Sequence, residues 1–108
     1  MAIKVNLVID QGTDYTTDIN VSDDNDNPEN LTGWSGAAQM RKFYTSATAY
    51  PFNVTVQPYG VVTLAANSTV TGSMTAGRYV YDCELTSPSG KVSRLVEGIV
   101  TITPQVTR

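Results

Sequence analysis

Apolar and polar residues alternate with a period of two along almost the whole chain, and no window of helical length sustains a three-four spacing. Successive side chains on a strand point to opposite faces, so this pattern predicts half-buried strands. The expected strands are Ile3 to Asp10, Tyr15 to Ser22, Trp34 to Phe43, Pro51 to Val56, Val61 to Ala65, Gly77 to Thr86 and Lys91 to Thr103. Turn chemistry separates them. Asp23 to Pro28 is rich in Asp and Asn, Tyr59-Gly60 divides two short strands, and Ser87-Pro88-Ser89-Gly90 closes a hairpin between the two longest. Ala66 to Met74 has room for one helical turn, with Asn67 or Ser68 as its cap. About seven strands with a turn every ~8–12 residues predict an all-β fold, a single sandwich domain over residues 1–108.

The alternation also assigns faces. Tyr79, Tyr81, Cys83 and Leu85 share one face of their strand, expected to be core, while Arg78, Val80, Asp82, Glu84 and Thr86 share a wet one. In the last strand Val96, Gly98, Val100 and Ile102 face inward, which leaves Ile99 among Glu97, Thr101 and Thr103 as an apolar contact candidate. Trp34 is followed on its own face by Gly36 and Ala38, so a bulky group from the facing layer is expected to fill that space. The expected core is Trp34, Tyr79, Tyr81, Leu85, Val96, Val100 and Ile102.

Composition narrows the function. The chain has no histidine and one cysteine, which removes Ser-His-Asp and Cys-His nucleophile systems, His-bearing metal sites and any internal disulfide. No catalytic residue set is expected, hence no enzyme, no cofactor and no small-molecule substrate. Charge is divided: between Val5 and Met40 lie Asp10, Asp14, Asp18, Asp23, Asp24, Asp26 and Glu29 with no base. From Arg41 onward six bases face three acids, and with Lys4 the total is −3. A pI near 4.6 argues against nucleic acid as a partner. The apolar run at Leu7 to Ile9 is too short for a signal core or a membrane span, so no membrane is expected and synthesis in a reducing cytoplasm is.

Ala76-Gly77-Arg78-Tyr79-Val80-Tyr81 resembles the opening of the sixth strand in many immunoglobulin-like domains, where a tyrosine hydroxyl bonds back across the sheet corner. Trp34 sits where such domains bury a tryptophan, but the cysteine pair is absent and Tyr81 stands at the second position. The series Gly12-Thr13-Asp14, Asp23 to Asn30 followed by Leu31-Thr32-Gly33, Gln39-Met40-Arg41, Gly60-Val61-Val62-Thr63-Leu64, Ala76 to Asp82, and Glu97 to Pro104 with Val106-Thr107-Arg108 is similar to small immunoglobulin-like virion proteins of tailed bacteriophages. It is similar also to the N-terminal immunoglobulin-like domain of phage baseplate upper proteins. The resemblance implies a disulfide-free immunoglobulin-like antiparallel β-sandwich in a virion, at tail, baseplate, neck or capsid surface. Its implied partners are other virion proteins and copies of itself. It carries no catalytic residues.

Several sharper readings weaken on inspection. Asp23-x-Asn25-x-Asn27 imitates the start of a Ca²⁺ loop, but Pro28 stands where the turn glycine belongs and Trp34 where the bidentate acid belongs. Asx turns explain the run without metal. Asp82 and Glu84 lie on an exposed strand face, which suits solvated charges paired with Arg41 or Arg94 better than acid-base chemistry. Cys83 reads as a small buried hydrophobe. The sequons at Asn20, Asn30, Asn53 and Asn67 follow from 23 Ser and Thr residues rather than from glycosylation. The charge division fits either docking of complementary surfaces or a solvated acidic face. Met1 to Val5 and Gln105 to Arg108 are candidates for adding a strand to a neighbour's sheet. The contact candidates are therefore Asp23, Asp24, Asp26, Arg41, Lys42 and Ile99. A carbohydrate- or host-surface-binding module is the alternative, with Tyr44, Tyr50 and Tyr59 as stacking candidates.

Overall fold

A computed structural model describes residues 3–22 and 27–106. In these the chain forms β1 (Ile3–Lys4), β2 (Leu7–Asp10), β3 (Tyr15–Asn20), β4 (Ser35–Arg41), β5 (Tyr50–Gln57), β6 (Val61–Ala66), α1 (Ser68–Ser73), β7 (Gly77–Thr86) and β8 (Val92–Thr103). Hydrogen bonding joins the strands in the order β1-β8-β7-β4-β5-β6-β3, with β2 also on β8. The ribbon curls at β5. Tyr50, Pro51 and Phe52 pair with β4, whereas Asn53 to Gln57 pair with β6. The first layer is therefore β1 and β2, β8, β7 and β4; the second is β6 and β3, with β5 crossing between them. This is a curled β-sandwich without a disulfide, antiparallel except where β1 and β2 lie along β8; the alternation predicts the sandwich, and the resemblance implies its immunoglobulin-like form.

The expected first strand is interrupted. β1 and β2 both run parallel to β8 in one register, Ile3 opposite Val96 and Leu7 opposite Val100, with a break at Val5 and Asn6. Gly98 of β8 explains the break: a Cβ there would overlap the Val5 carbonyl. That carbonyl instead accepts the Tyr81 hydroxyl at 2.6 Å, while Val5 N–H donates to the Glu97 carbonyl at 2.9 Å. Ile99 N–H donates to Asn6 Oδ1 at 3.1 Å. Polar bonds thus hold the N-terminal segment on its own sheet.

The core follows the predicted parity. Tyr79, Tyr81, Cys83, Leu85, Val96, Val100 and Ile102 are buried together with Ile9, Met40, Phe52, Val62, Leu64 and Met74. Trp34 departs from expectation. It precedes β4, lies at the end of the sandwich and is only half-buried against the core. The space over Gly36 is filled as expected, by Val54 and Val56 from the crossing strand and by Leu85. The Tyr79 hydroxyl donates to the Thr75 carbonyl at 2.8 Å, a bond to the backbone just upstream of its own strand.

Helix α1 closes one end. Asn67 Oδ1 accepts from Val70 N–H at 3.0 Å, and Asp14 Oδ1 accepts from Ser68 N–H at 2.7 Å. Thr71 is fully buried, its hydroxyl donating to the Thr13 carbonyl at 2.7 Å.

Candidate functional site

The outer face of the larger layer gathers the residues most suited to contact. On β7 the outward positions are Arg78, Val80, Asp82 and Glu84, and the register sets Arg41, Val80 and Ile99 in one cross-strand row. Gln39, Asp82 and Glu97 form the next row. Val8 of β2 lies opposite Thr101, diagonal to Ile99 on the same face. The result is an apolar diagonal of Val8, Ile99 and Val80. Val8 is 63% exposed and Ile99 40%, so two β-branched side chains stand in water between polar rows.

A one-residue bulge shapes the rim. Strict alternation would put Arg94 inside with Val96, but the register slips between Cys83 and Glu84, so Glu84 faces Arg94. Arg94 thereby joins the outer face, where it contacts Asp82 at 3.4 Å and Glu97 at 3.5 Å. With half its side chain in solvent, this network organises the surface more than it stabilises the fold. Arg41 is tied to its own loop, donating to the Ser46 carbonyl and, at 3.1 Å, to Gln39 Oε1. Between Tyr44 and these ion pairs lies a shallow depression of about 270 Å³.

Of the contact candidates, Ile99 and Arg41 come together on this face. Lys42 does not: its ammonium lies 4.9 Å from the centroid of the Tyr79 ring, a cation–π contact beside the 43–49 loop. Asp23, Asp24 and Asp26 lie outside the described residues, as does the start of the run weighed for Ca²⁺. Among the described residues no three of Cys, Asp and Glu converge as a metal site. Three of the early acids serve the fold: Asp10 accepts from Thr103 and Asp18 from Thr63, each at 2.7 Å, and Asp14 holds the helix start. Three of the seven acids in this part of the chain are thus engaged in contacts between distant segments of the fold. Tyr44 is 81% exposed, whereas Tyr50 packs edge-on against Tyr79 with centroids 5.9 Å apart. Tyr59 stands exposed at the turn between β5 and β6.

Alternation already puts Val80 on the outer face, where the β7–β8 register sets it opposite Ile99. Val8 carries no such signal, and only the parallel pairing of β2 with β8 brings it beside Ile99. Cys83 is fully buried, and burial pushes its thiol up to about 11. Among the described residues no helix is long and apolar enough to cross a membrane.

No family model and no curated protein matches the chain. Among solved structures it is similar to a family 123 glycoside hydrolase from Clostridium perfringens, described in a study of glycolipid glycan hydrolysis. Identity is 12% and the TM-score 0.46; the match covers 97% of this chain and 24% of that one. The chain thus spans about a quarter of that enzyme's length, and a likeness this distant transfers no residue's role.

Proposed function

We propose that this chain is a non-enzymatic structural protein of a tailed-phage virion, at tail, baseplate, neck or capsid surface, assembling by protein–protein contacts. The observation that carries the contact surface is the Val8, Ile99 and Val80 stripe, set between polar rows and bordered on one side by the Asp82, Arg94 and Glu97 ion pairs. Specific interfaces combine an apolar centre with a polar, solvent-accessible rim. The virion setting rests on the sequence resemblance to phage immunoglobulin-like proteins. The contact partner is another virion protein or a further copy.

Replacing Ile99 by Lys tests the reading. Ile99 is partly exposed, so the substitution changes stability by no more than about 0.5 kcal/mol, as for most surface changes. A hot-spot residue near the centre of an interface costs about 2 kcal/mol or more when lost, so co-sedimentation of the variant with particles should fall at least tenfold. Unchanged incorporation of a folded Ile99→Lys protein removes this face from the assembly.

One observation favours a second reading. Tyr44 stands over the depression beside Gln39, Asp82 and Arg94, an arrangement of ring and planar polar groups that suits a saccharide. Glycan binding that disappears in Tyr44→Ala and persists in Ile99→Lys would establish that reading over the first.

A further inference from the structure

The geometry points to β3 as a pairing edge that joins two copies of this chain in antiparallel fashion, Thr17 against Thr17. This goes beyond the reading above and uses the other layer of the sandwich. β3 ends the strand order, and among the described residues no strand lies on its far side. An exposed strand edge offers unpaired N–H and C=O groups to another chain.

The backbone restricts the register. Val21 N–H donates to the Gly60 carbonyl at 2.7 Å, continuing the β3–β6 pairing of Ile19 with Val62. Alternation then turns Tyr15, Thr17 and Ile19 toward β6 and leaves the N–H and C=O groups of Thr16, Asp18 and Asn20 facing outward. Outward residues must pair with outward residues, so a twofold axis near the middle of β3 passes through Thr16, Thr17 or Asp18. A centre at Asp18 sets the two Asp18 carboxylates against each other; a centre at Thr16 sets Asp18 against Asp14. Like charges directly opposite are unfavourable. The Thr17 centre avoids both and places each Thr16 opposite the other copy's Asp18. The chain already makes that contact once, where Thr63 lies opposite Asp18 and its hydroxyl donates to Oδ1 at 2.7 Å. Asp18 would sit between two threonines, and Tyr15 would meet Ile19 of the second copy on the inner face. An edge of six residues falls short of the ~1,200 Å² at which stable interfaces begin, so the pairing is weak in dilute solution. It becomes effective where copies are concentrated.

Sedimentation velocity of the purified chain at millimolar concentration tests this. The expected result is a dimer that Thr16→Lys tightens about threefold or more, through two new cation–carboxylate pairs, and that Thr16→Asp abolishes. Thr17→Cys gives an independent readout. Facing residues of a non-hydrogen-bonded pair have Cα atoms about 4.5 Å apart, within disulfide range, so glutathione disulfide should link the two copies. A chain that stays monomeric, or a dimer indifferent to both Thr16 variants, overturns the proposal. Ile99→Lys leaves this dimer intact, so loss of the particle contact and loss of this pairing are separately visible.

Discussion

Tyr81 and Gly98 face each other across β7 and β8, and together they admit the Val5 carbonyl into the sheet. One residue supplies the donor and the other supplies the space. Removing the hydroxyl by Tyr81→Phe leaves that carbonyl short of a partner, at a cost of about 1–3 kcal/mol in urea unfolding. Gly98→Ala costs more, because the obstacle is backbone and the segment must shift to make room. Both variants should also speed amide exchange in residues 5–7 relative to β7. Equal exchange in wild type and variants would show that the N-terminal segment is held by something other than this contact. At the same scale, native Cys83 should resist thiol reagents near neutral pH, since it is buried and its thiolate is disfavoured.

Helix α1 is too short to persist on its own, so it depends on its ends and on the Thr71 bond to β3's approach. Asn67→Ala should cost about 1 kcal/mol, the usual loss for an N-cap, with Asn67→Asp close to neutral. Equal stability of all three would mean that Asp14 alone secures the helix start. The cap and the helical turn were both legible in the sequence, because local chemistry decides them. So were β7 and its faces, because a period of two over ten residues leaves no alternative. The break at Val5, the crossing of β5 and the bulge beside Glu84 were not legible. Each is imposed by a partner distant in sequence while the alternation runs on unchanged. Trp34 has core parity, but it precedes β4, which begins at Ser35, and it packs only half-buried against the core. The candidate site was legible only in part. Ile99 betrayed itself as an apolar residue on a wet face, whereas Val8 joined it through a parallel pairing that carries no local signature.

The whole molecule combines these residues into one pH response. Tyr81 and Cys83 sit on the same inward face, and burial raises both, Tyr81 from 10.0 to about 12 and Cys83 from 9.0 to about 11. A group whose folded value lies above its unfolded one binds its proton more tightly in the native state. The stability it contributes is complete below the unfolded value and is lost as pH climbs toward the folded one. The fold should therefore hold a constant urea midpoint from neutral pH to about 9, then weaken, first through Cys83 and above about 10 through Tyr81 as well. Cys83→Ala deletes the first contribution, so its midpoint is lower at neutral pH for loss of packing but stays level until about 10. An onset at the same pH in both proteins would show that groups other than this cysteine set the alkaline limit of the sandwich.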